Sequence, residues 1–235
     1  MIKLTSQLNQ IMIKQNSVKS DSSQIYITTL KQVSLFFFLF GLSSDVLGQA
    51  KVSPNDSTFV NLKEYSSDFL FDMKYATDNN FLKSKVYDCG ECYLRYKTVK
   101  SLIQANEAFL KKGYRIKLFD CYRPVDIQKR MWEIVPNPEY VADPKKGSIH
   151  NRGGAVDITL VNEKGLELDM GTGFDFFGPE AGHDYKNLSE EVKKNRKLLK
   201  KIMLRNNFRA FNSEWWHYNL KNAKKDKVSN FRWKC

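Results

Sequence analysis

The sequence predicts an α+β fold, in one compact domain with a mainly antiparallel sheet and flanking helices. Residues 114–121 alternate apolar and charged side chains, and residues 155–161 are rich in β-branched side chains, so both segments are predicted strands. Residues 98–112 carry apolar side chains at helical spacing. The predicted elements lack the strict alternation of parallel α/β proteins. With 42% hydrophobic and 13% aromatic residues, the chain can bury a sizeable core.

The first predicted helix covers residues 98–112 and ends before Gly113, which is typical of a C-terminal cap. The strand at 114–121 follows directly. Pro124 then opens a second helix, because its restricted φ angle suits a first helical turn. The apolar residues that recur at helical spacing are Val99, Leu102, Ile103 and Leu110 in the first helix, and Ile127, Met131 and Ile134 in the second.

The second half of the chain supplies a strand, a long loop, a third helix and a last strand. On the strand at 155–161, one face carries Ala155, Asp157 and Thr159, and the other carries Val156, Ile158 and Leu160. The loop at 165–185 is too long to be a mere connection in a compact domain. Ser189 caps a third helix that extends to Asn206. The aromatic residues at 210–220 predict one further strand.

Residues 1–50 differ in character from the rest of the chain. The apolar run VSLFFFLFGL at 33–42 is shorter than the roughly 20 residues that a membrane-spanning helix needs. The run is followed by Gly48, Gln49 and Ala50, which offer the small side chains that a signal peptidase requires, so we predict a signal peptide cut near Ala50. The protein would then be exported (periplasmic or secreted), with a mature domain at 51–235. The segment before the run is long for such a signal, so Met12 is an alternative start. An uncleaved anchor or an ordinary core segment is the alternative interpretation.

The chain is basic, with 38 Lys and Arg against 26 Asp and Glu and a net charge of +12. Loss of residues 1–50 leaves 34 basic and 24 acidic residues, a net charge of +10. This charge suits nucleic acid or an anionic envelope. The basic residues, however, concentrate at 193–201 and 221–227, as is typical of a solvated helix face and a polar loop. Without a nucleic-acid-binding motif, the sequence predicts no nucleic-acid partner and at most a loose association with an anionic envelope.

Four cysteines lie in the predicted mature chain: Cys89, Cys92, Cys121 and Cys235. An even number in an oxidising compartment favours disulfides, with three connectivities open. The CxxC motif formed by Cys89 and Cys92 is redox-active or zinc-binding in other settings. This chain has no second CxxC and no thioredoxin-like context around the first. We therefore favour structural disulfides, with Cys92 paired to Cys121 and Cys89 to Cys235.

Two of the three histidines stand in a context that suits a metal. His150 precedes two glycines that allow a sharp turn into the strand of Asp157, whose carboxylate would be costly to bury without a cation. His217 follows Glu214 by three positions in an aromatic segment. A hydrolytic zinc ion needs three protein ligands, an open position for water and a nearby base. The two histidines and Asp157 can supply the ligands, and Glu214 the base.

The spacing of Glu214 and His217 raises a geometric condition. These positions point to opposite faces of a regular strand. Either a bulge near Trp215 or a place for Glu214 in the preceding turn is therefore required. The two tryptophans between them are expected to wall the site. His183 could replace Asp157 as a ligand, but no strand frames it, and we interpret it as a loop residue.

The two motifs together resemble a known family. The pattern S-x-H-x-x-G-x-A-x-D at 148–157, followed by E-W-W-H at 214–217, is similar to the vancomycin-resistance-type D-alanyl-D-alanine dipeptidases of the zinc D-Ala-D-Ala peptidase family. The resemblance extends from Asp68 to Leu220. It includes YATDNNF at 75–81, YRP at 122–124 and MGTGFD at 170–175.

The resemblance implies one zinc ion per chain, bound in a central cleft. His150, Asp157 and His217 would hold the metal, and Glu214 would act as the catalytic base. In such sites zinc polarises the peptide carbonyl and lowers the pKa of water, while the base transfers the proton to the departing amine.

The resemblance also assigns roles around the substrate. Arg123 would donate to the oxyanion that forms on the attacked carbonyl, whereas the residues alone favour an arginine paired with Asp120 or Asp126. Asp175 would receive the ammonium group of a free dipeptide, and Ser148 would bind its carboxylate. Reading both ends in this way distinguishes a dipeptidase from an endopeptidase.

The predicted function is therefore that of an exported zinc metallopeptidase that hydrolyses D-Ala-D-Ala to two D-alanines, in cell-wall turnover, dipeptide salvage or glycopeptide resistance. One alternative is a D,D-carboxypeptidase or endopeptidase of the same family, whose positive charge would favour an anionic wall. Another is a non-catalytic, zinc-stabilised binding module. Glu214 and Arg123 argue against this last alternative, because a structural zinc site needs neither and is closed by a fourth ligand.

Overall fold

A computed structural model describes residues 53–138 and 140–235 of the chain. The predicted signal peptide and its cleavage site lie outside these residues. None of the helices formed by the described residues has the length and apolar character needed to cross a membrane.

The described residues form three α-helices and seven strands, which confirms the predicted α+β class. The helices are α1 (Tyr96–Leu110), α2 (Val125–Ile134) and α3 (Glu190–Arg205). The strands are β1 (Phe59–Asn61), β2 (Leu70–Phe71), β3 (Tyr93–Arg95), β4 (Tyr114–Asp120), β5 (Ala155–Asn162), β6 (Phe208–Phe211) and β7 (Glu214–Leu220). Short 3-10 turns complete the fold, among them His150–Arg152.

The main sheet has five strands in the order β2-β4-β5-β7-β6. The short β2 runs parallel to β4, and the remaining pairs are antiparallel, as predicted. A separate antiparallel pair joins β1 to β3. The order places β5, with Asp157, at the centre of the sheet. On one side lies β4, which precedes Arg123, and on the other lies β7, which carries His217.

The hydrophobic core joins the sheet to α1 and α3. These helices contact each other, α1 lies against β4, and α3 lies against β6 and β7. One cluster of buried side chains contains Val156, Ile158 and Leu160 of β5, Leu102 and Phe109 of α1, and Leu199 of α3. The residues that the alternation of β5 places opposite Asp157 therefore belong to the core, which leaves the Asp157 face to build a site.

The last predicted strand, 210–220, is a hairpin rather than one strand. β6 ends at Phe211, β7 begins at Glu214, and these two residues pair across a turn at 212–213. The reason is local: Asn212 and Ser213 are residue types that favour turns, and a two-residue connection suffices for an antiparallel hairpin. Glu214 is the first residue of β7, not a turn residue. The register between β6 and β7 shifts between Ala210, which pairs with Tyr218, and Phe211, which pairs with Glu214, and this irregularity is the bulge near Trp215 that the spacing of Glu214 from His217 requires.

Both disulfides form with the favoured connectivity. Cys92 is bonded to Cys121, with 5.3 Å between their Cα atoms, and Cys89 is bonded to Cys235, with 5.8 Å. The first bond joins the residue before β3 to the residue after β4. The second ties the C-terminus to a segment 146 residues earlier in the chain.

Candidate active site

The sheet register brings three functional side chains into one row. Asp120 at the end of β4 pairs with Asp157 on β5, and Asp157 pairs with His217 on β7. Residues directly opposite each other on neighbouring strands share a face of the sheet. Three strands therefore present these groups side by side.

His150 reaches this row from the 3-10 turn before β5. Gly153 ends the turn with φ +69°, in the left-handed region that glycine adopts without strain. A Cβ atom on Gly153 would lie 2.4 Å from the Phe59 ring, and one on Gly154 would lie 2.4 Å from the Cβ atom of Ala223. The two glycines thus allow both the turn and the close packing that hold His150 in place.

Three potential ligand atoms converge between these elements. His217 Nδ1 lies 3.0 Å from Asp157 Oδ1, and His150 Nε2 lies 3.4 Å from Asp157 Oδ2. The two ring nitrogens, His150 Nε2 and His217 Nδ1, are 3.2 Å apart. Among the described residues these three side chains form a group that could hold a metal ion.

The outer nitrogen of each ring is engaged in a hydrogen bond, which assigns its tautomer. His150 donates from Nδ1 to the main-chain oxygen of Cys121 at 2.6 Å. His217 donates from Nε2 to Asn219 Oδ1 at 2.9 Å. Both inward nitrogens then carry lone pairs, which face each other and a carboxylate and therefore require a cation.

Zinc fits this donor set. Tetrahedral zinc with nitrogen and oxygen ligands near 2.0–2.1 Å places neighbouring ligand atoms about 3.3 Å apart. Two separations lie close to that value: 3.0 Å from His217 Nδ1 to Asp157 Oδ1, and 3.2 Å between the two ring nitrogens. The 3.4 Å contact of His150 Nε2 is with the other carboxylate oxygen, Asp157 Oδ2. One potential ligand atom from each side chain lies within 4.8 Å of the others, which is close enough for the three residues to share one ion.

The pKa values of Asp157 and His217 also indicate that positive charge is favoured between these side chains. Burial acts to raise the pKa of Asp157, but the neighbouring His150 and His217 hold it well below its usual range. Burial acts to lower the pKa of His217, but hydrogen bonding and attraction from Asp157 raise it to about 9. The buried Asp157 carboxylate is thus stabilised by positive charge beside it, which a bound metal ion would also provide.

Glu214 lies beside the ligand group without belonging to it. Its Oε2 atom is 3.7 Å from His217 Nδ1. Burial, reinforced by the negative charge of Asp157, raises the pKa of Glu214, against the attraction of the histidines and Arg123. A raised pKa brings a carboxylate closer to the range in which it exchanges protons with water, as a general base must.

Arg123 is both paired and directed at the cavity. Its Nε and Nη2 atoms donate to Asp120 Oδ2 at 3.2 and 2.6 Å, and its Nη1 donates to Gln128 at 3.0 Å. The guanidinium also lies over the Tyr75 ring, 5.2 Å from its centroid. Asp126, the other partner considered, is bonded to Arg232 instead. A guanidinium has five N–H groups, so two remain for a substrate.

Asp175 and Ser148 both line the same cavity. Asp175 has φ +57°, an uncommon conformation for a residue other than glycine, and accepts a hydrogen bond from the Tyr75 hydroxyl at 3.0 Å. Burial and the charge of Asp157 raise its pKa well above the usual range, so a cationic group would be a favourable partner. The Ser148 hydroxyl accepts from the main-chain N–H of Asn151 at 3.2 Å, which leaves its proton available.

The structure unites all seven predicted site residues around one cavity of about 220 Å³. Trp216 lines this cavity as expected, whereas Trp215 lies in the wall of a neighbouring depression and donates to Thr172. His183 is a loop residue outside both.

Two residues with supporting positions were not predicted: Tyr75 and Asn219. The signal for Asn219 was available, because it follows His217 by two positions and so shares its face of β7. Asp120 was one of the two partners predicted for Arg123, and the structure confirms it in place of Asp126. Nothing in the local sequence connects Tyr75 with Asp175, which is 100 positions away.

Comparison with known proteins gives a consistent picture. A family model described as D-ala-D-ala dipeptidase matches residues 55–233. The D-alanyl-D-alanine dipeptidase of Escherichia coli is 34% identical over 170 residues, covering 72% of this chain and 88% of that protein. The proteins of the same name from Enterococcus faecium and Enterococcus faecalis are each 31% identical over 187 residues, covering 69% and 70% of this chain and 91% and 92% of theirs.

Proposed function

This chain belongs to the D-Ala-D-Ala dipeptidase family, and we propose that it is a zinc-dependent peptidase that hydrolyses the free dipeptide D-Ala-D-Ala to two D-alanines. The observation that carries the proposal is the convergence of His150 Nε2, Asp157 and His217 Nδ1, next to a carboxylate that is not a ligand. Each chain would hold one zinc ion on these three side chains, leaving a coordination position for the reaction.

Zinc, when bound, supplies a Lewis acid that polarises the peptide carbonyl and makes water more acidic. Glu214 accepts the proton of the attacking water as its oxygen bonds to the carbonyl carbon. The same carboxyl then gives that proton to the amide nitrogen as the C–N bond breaks. The raised pKa of Glu214 suits both directions of this transfer.

Arg123 stabilises the charge that develops on the carbonyl oxygen. Asp120 and Gln128 fix its guanidinium before the substrate arrives, so that its free N–H groups need no reorganisation during the reaction. Asp175 binds the substrate ammonium, whose charge allows the buried carboxyl to ionise. Ser148 donates a hydrogen bond from its hydroxyl group to the carboxylate at the other end of the substrate.

Measurement of zinc and of D-alanine release tests the proposal. The purified protein should bind one zinc per chain and release D-alanine from D-Ala-D-Ala, but much more slowly from N-acetyl-D-Ala-D-Ala. Glu214→Gln should keep its zinc and lose about 10²–10⁴-fold in kcat. The matched control is Glu191→Gln, on the exposed first turn of α3, which should act like the wild type. Stoichiometric zinc without D-alanine release would contradict the proposal.

We also propose that the protein is exported to the periplasm or secreted. Two disulfides support this location, because such bonds persist in oxidising compartments and are rare in the cytosol. Fractionation of expressing cells, with the mature N-terminus read by mass spectrometry, tests it. A cytosolic protein that retains residues 1–50 would refute it.

A further inference from the structure

Two aromatic rings from separate loops meet beside the catalytic cavity. Tyr140, in the loop after α2, stacks on Phe177, in the loop between β5 and α3, with ring centroids 4.2 Å apart and an interplanar angle of 28°. Phe81 supports Phe177 from its edge, with centroids 4.9 Å apart and rings at 89°. The Tyr140–Phe177 pair therefore bridges two loops and is supported at one end.

The pair separates two cavities. Tyr140 and Phe177 line the catalytic cavity, and they also line an outer groove of about 330 Å³. Apart from these two residues, Glu214 is the one other described residue that borders both spaces. The outer groove is mostly apolar and main-chain in character, and its remaining lining residues are Phe176, Gly178, Pro179, Gly182 and Ser213.

The position of the pair identifies which end of a substrate would meet it. Phe177 follows Asp175 by two residues, and Asp175 is the group to which the proposed function assigns the substrate ammonium. A second residue or an acyl group attached to that nitrogen would extend away from the metal ligands, towards the stacked rings. To enter the outer groove, such an extension would have to pass Tyr140, Phe177 or Glu214, because these are the described residues that border both spaces.

We infer that the Tyr140–Phe177 pair is a specificity-determining partition, which excludes peptides that carry an acyl or aminoacyl extension on the D-Ala-D-Ala amino group. This inference rests on the proposed function and adds a physical cause for its substrate size. Opening the partition would join the two cavities and let the outer groove hold the extension. Tyr140 is the accessible half of the pair, since 39% of its surface is exposed.

The test compares kcat/KM for D-Ala-D-Ala, N-acetyl-D-Ala-D-Ala and L-Lys-D-Ala-D-Ala. In Tyr140→Ala and Phe177→Ala, the ratio of extended to free substrate should rise at least about tenfold over the wild type. Tyr140→Phe preserves the stacked ring and should keep the wild-type ratio. Phe176→Ala removes a 44% exposed ring that borders the outer groove alone, and it too should keep the wild-type ratio.

A binding measurement covers variants that turn over poorly. Calorimetry with N-acetyl-D-Ala-D-Ala should detect at least about tenfold tighter binding to Glu214→Gln/Tyr140→Ala than to Glu214→Gln alone. Unchanged affinity, or an unchanged substrate ratio in variants that retain zinc and cleave the free dipeptide, overturns the partition. A wild-type protein that cleaves N-acetylated and free dipeptide equally well overturns it too, while leaving the peptidase activity standing. A wild-type protein that binds zinc and cleaves neither refutes the proposed function instead.

Discussion

Replacing Asp120 with asparagine should strongly destabilise the protein, because Asp120 is the anionic centre of a buried network. None of its surface is exposed. Its Oδ1 atom accepts from the Tyr87 hydroxyl at 2.8 Å and from the main-chain N–H of Cys121 at 2.9 Å. Its Oδ2 atom accepts two hydrogen bonds from Arg123. The substitution keeps the shape of the side chain but leaves a buried guanidinium without its counter-charge.

Removing one partner of a buried ion pair costs about 3–5 kcal/mol. An asparagine can still accept at one oxygen, so we expect the lower end of this range, about 3 kcal/mol, in the free energy of unfolding. The free energy of unfolding of a whole domain is about 5–15 kcal/mol, so a loss of this size is readily measured. Adding Arg123→Met removes the stranded charge and should return about 1–2 kcal/mol, although the double variant should stay inactive.

Urea unfolding followed by tryptophan fluorescence measures these differences. It should be done with EDTA, so that metal binding adds nothing to stability. Asp126→Asn is the matched control: Asp126 pairs with Arg232 at the surface and should change stability by less than about 0.5 kcal/mol. A loss below about 1 kcal/mol in Asp120→Asn would refute the reasoning. So would a double variant whose loss of stability equals the sum of the losses in Asp120→Asn and Arg123→Met alone.

Three further predictions concern the support of the metal site and the response to pH. Asn219→Ala should weaken zinc binding about 10–100-fold, because Asn219 accepts the hydrogen bond that orients His217; competition with a chromophoric chelator measures this. Replacing Cys92 and Cys121 by serine should weaken zinc binding more than serines at the other disulfide do, because the Cys121 carbonyl orients the first histidine ligand. Burial lowers the pKa of His183 to about 4 from its ordinary 6.5, so the unfolded chain binds a proton more readily than the folded one. The contribution of neutral His183 to the free energy of unfolding is complete above pH 6.5 and is lost as the pH falls towards 4. After allowance for partial exposure, urea unfolding at a series of pH values should show a loss of about 1–2 kcal/mol.

Each of these predictions has its own control. Asn219→Asp keeps an acceptor and should retain zinc better than the alanine variant. Equal zinc affinities in the two disulfide variants would contradict the special role of the Cys121 carbonyl. His183→Asn should reduce the acid-induced loss of stability, and an identical pH dependence in the variant and the wild type would assign that loss to other groups.

Sequence reasoning succeeded where the physical cause is local. The periodicity of apolar residues located α1, α2 and β4, because helices and strands bury side chains with different periods. β-branched content located β5, and the capping residue Ser189 located the start of α3. The metal ligands were recognisable because His150 and Asp157 lie close together in the chain, in a turn and a strand whose glycines leave a clear motif. The even number of cysteines predicted the disulfides, and the alternation along β5 predicted which of its faces packs in the core.

Sequence reasoning was incomplete where distant segments meet. The split of the last strand depended on a short polar turn at 212–213, which the aromatic residues around it concealed. The choice of Asp120 over Asp126 as the partner of Arg123 depended on which carboxylate the end of β4 buries.

The metal-site motif could be recognised from the chain alone, because a zinc ligand set requires particular residue types within short, constrained segments. The fit of that motif to a small substrate was decided by tertiary structure. Tyr75 meets Asp175, and Tyr140 meets Phe177, across loops whose contacts leave no periodic signal in the sequence. Such contacts arise only when the packed sheet has brought the loops to one edge of the cavity, since loop conformation depends on the surfaces that it covers.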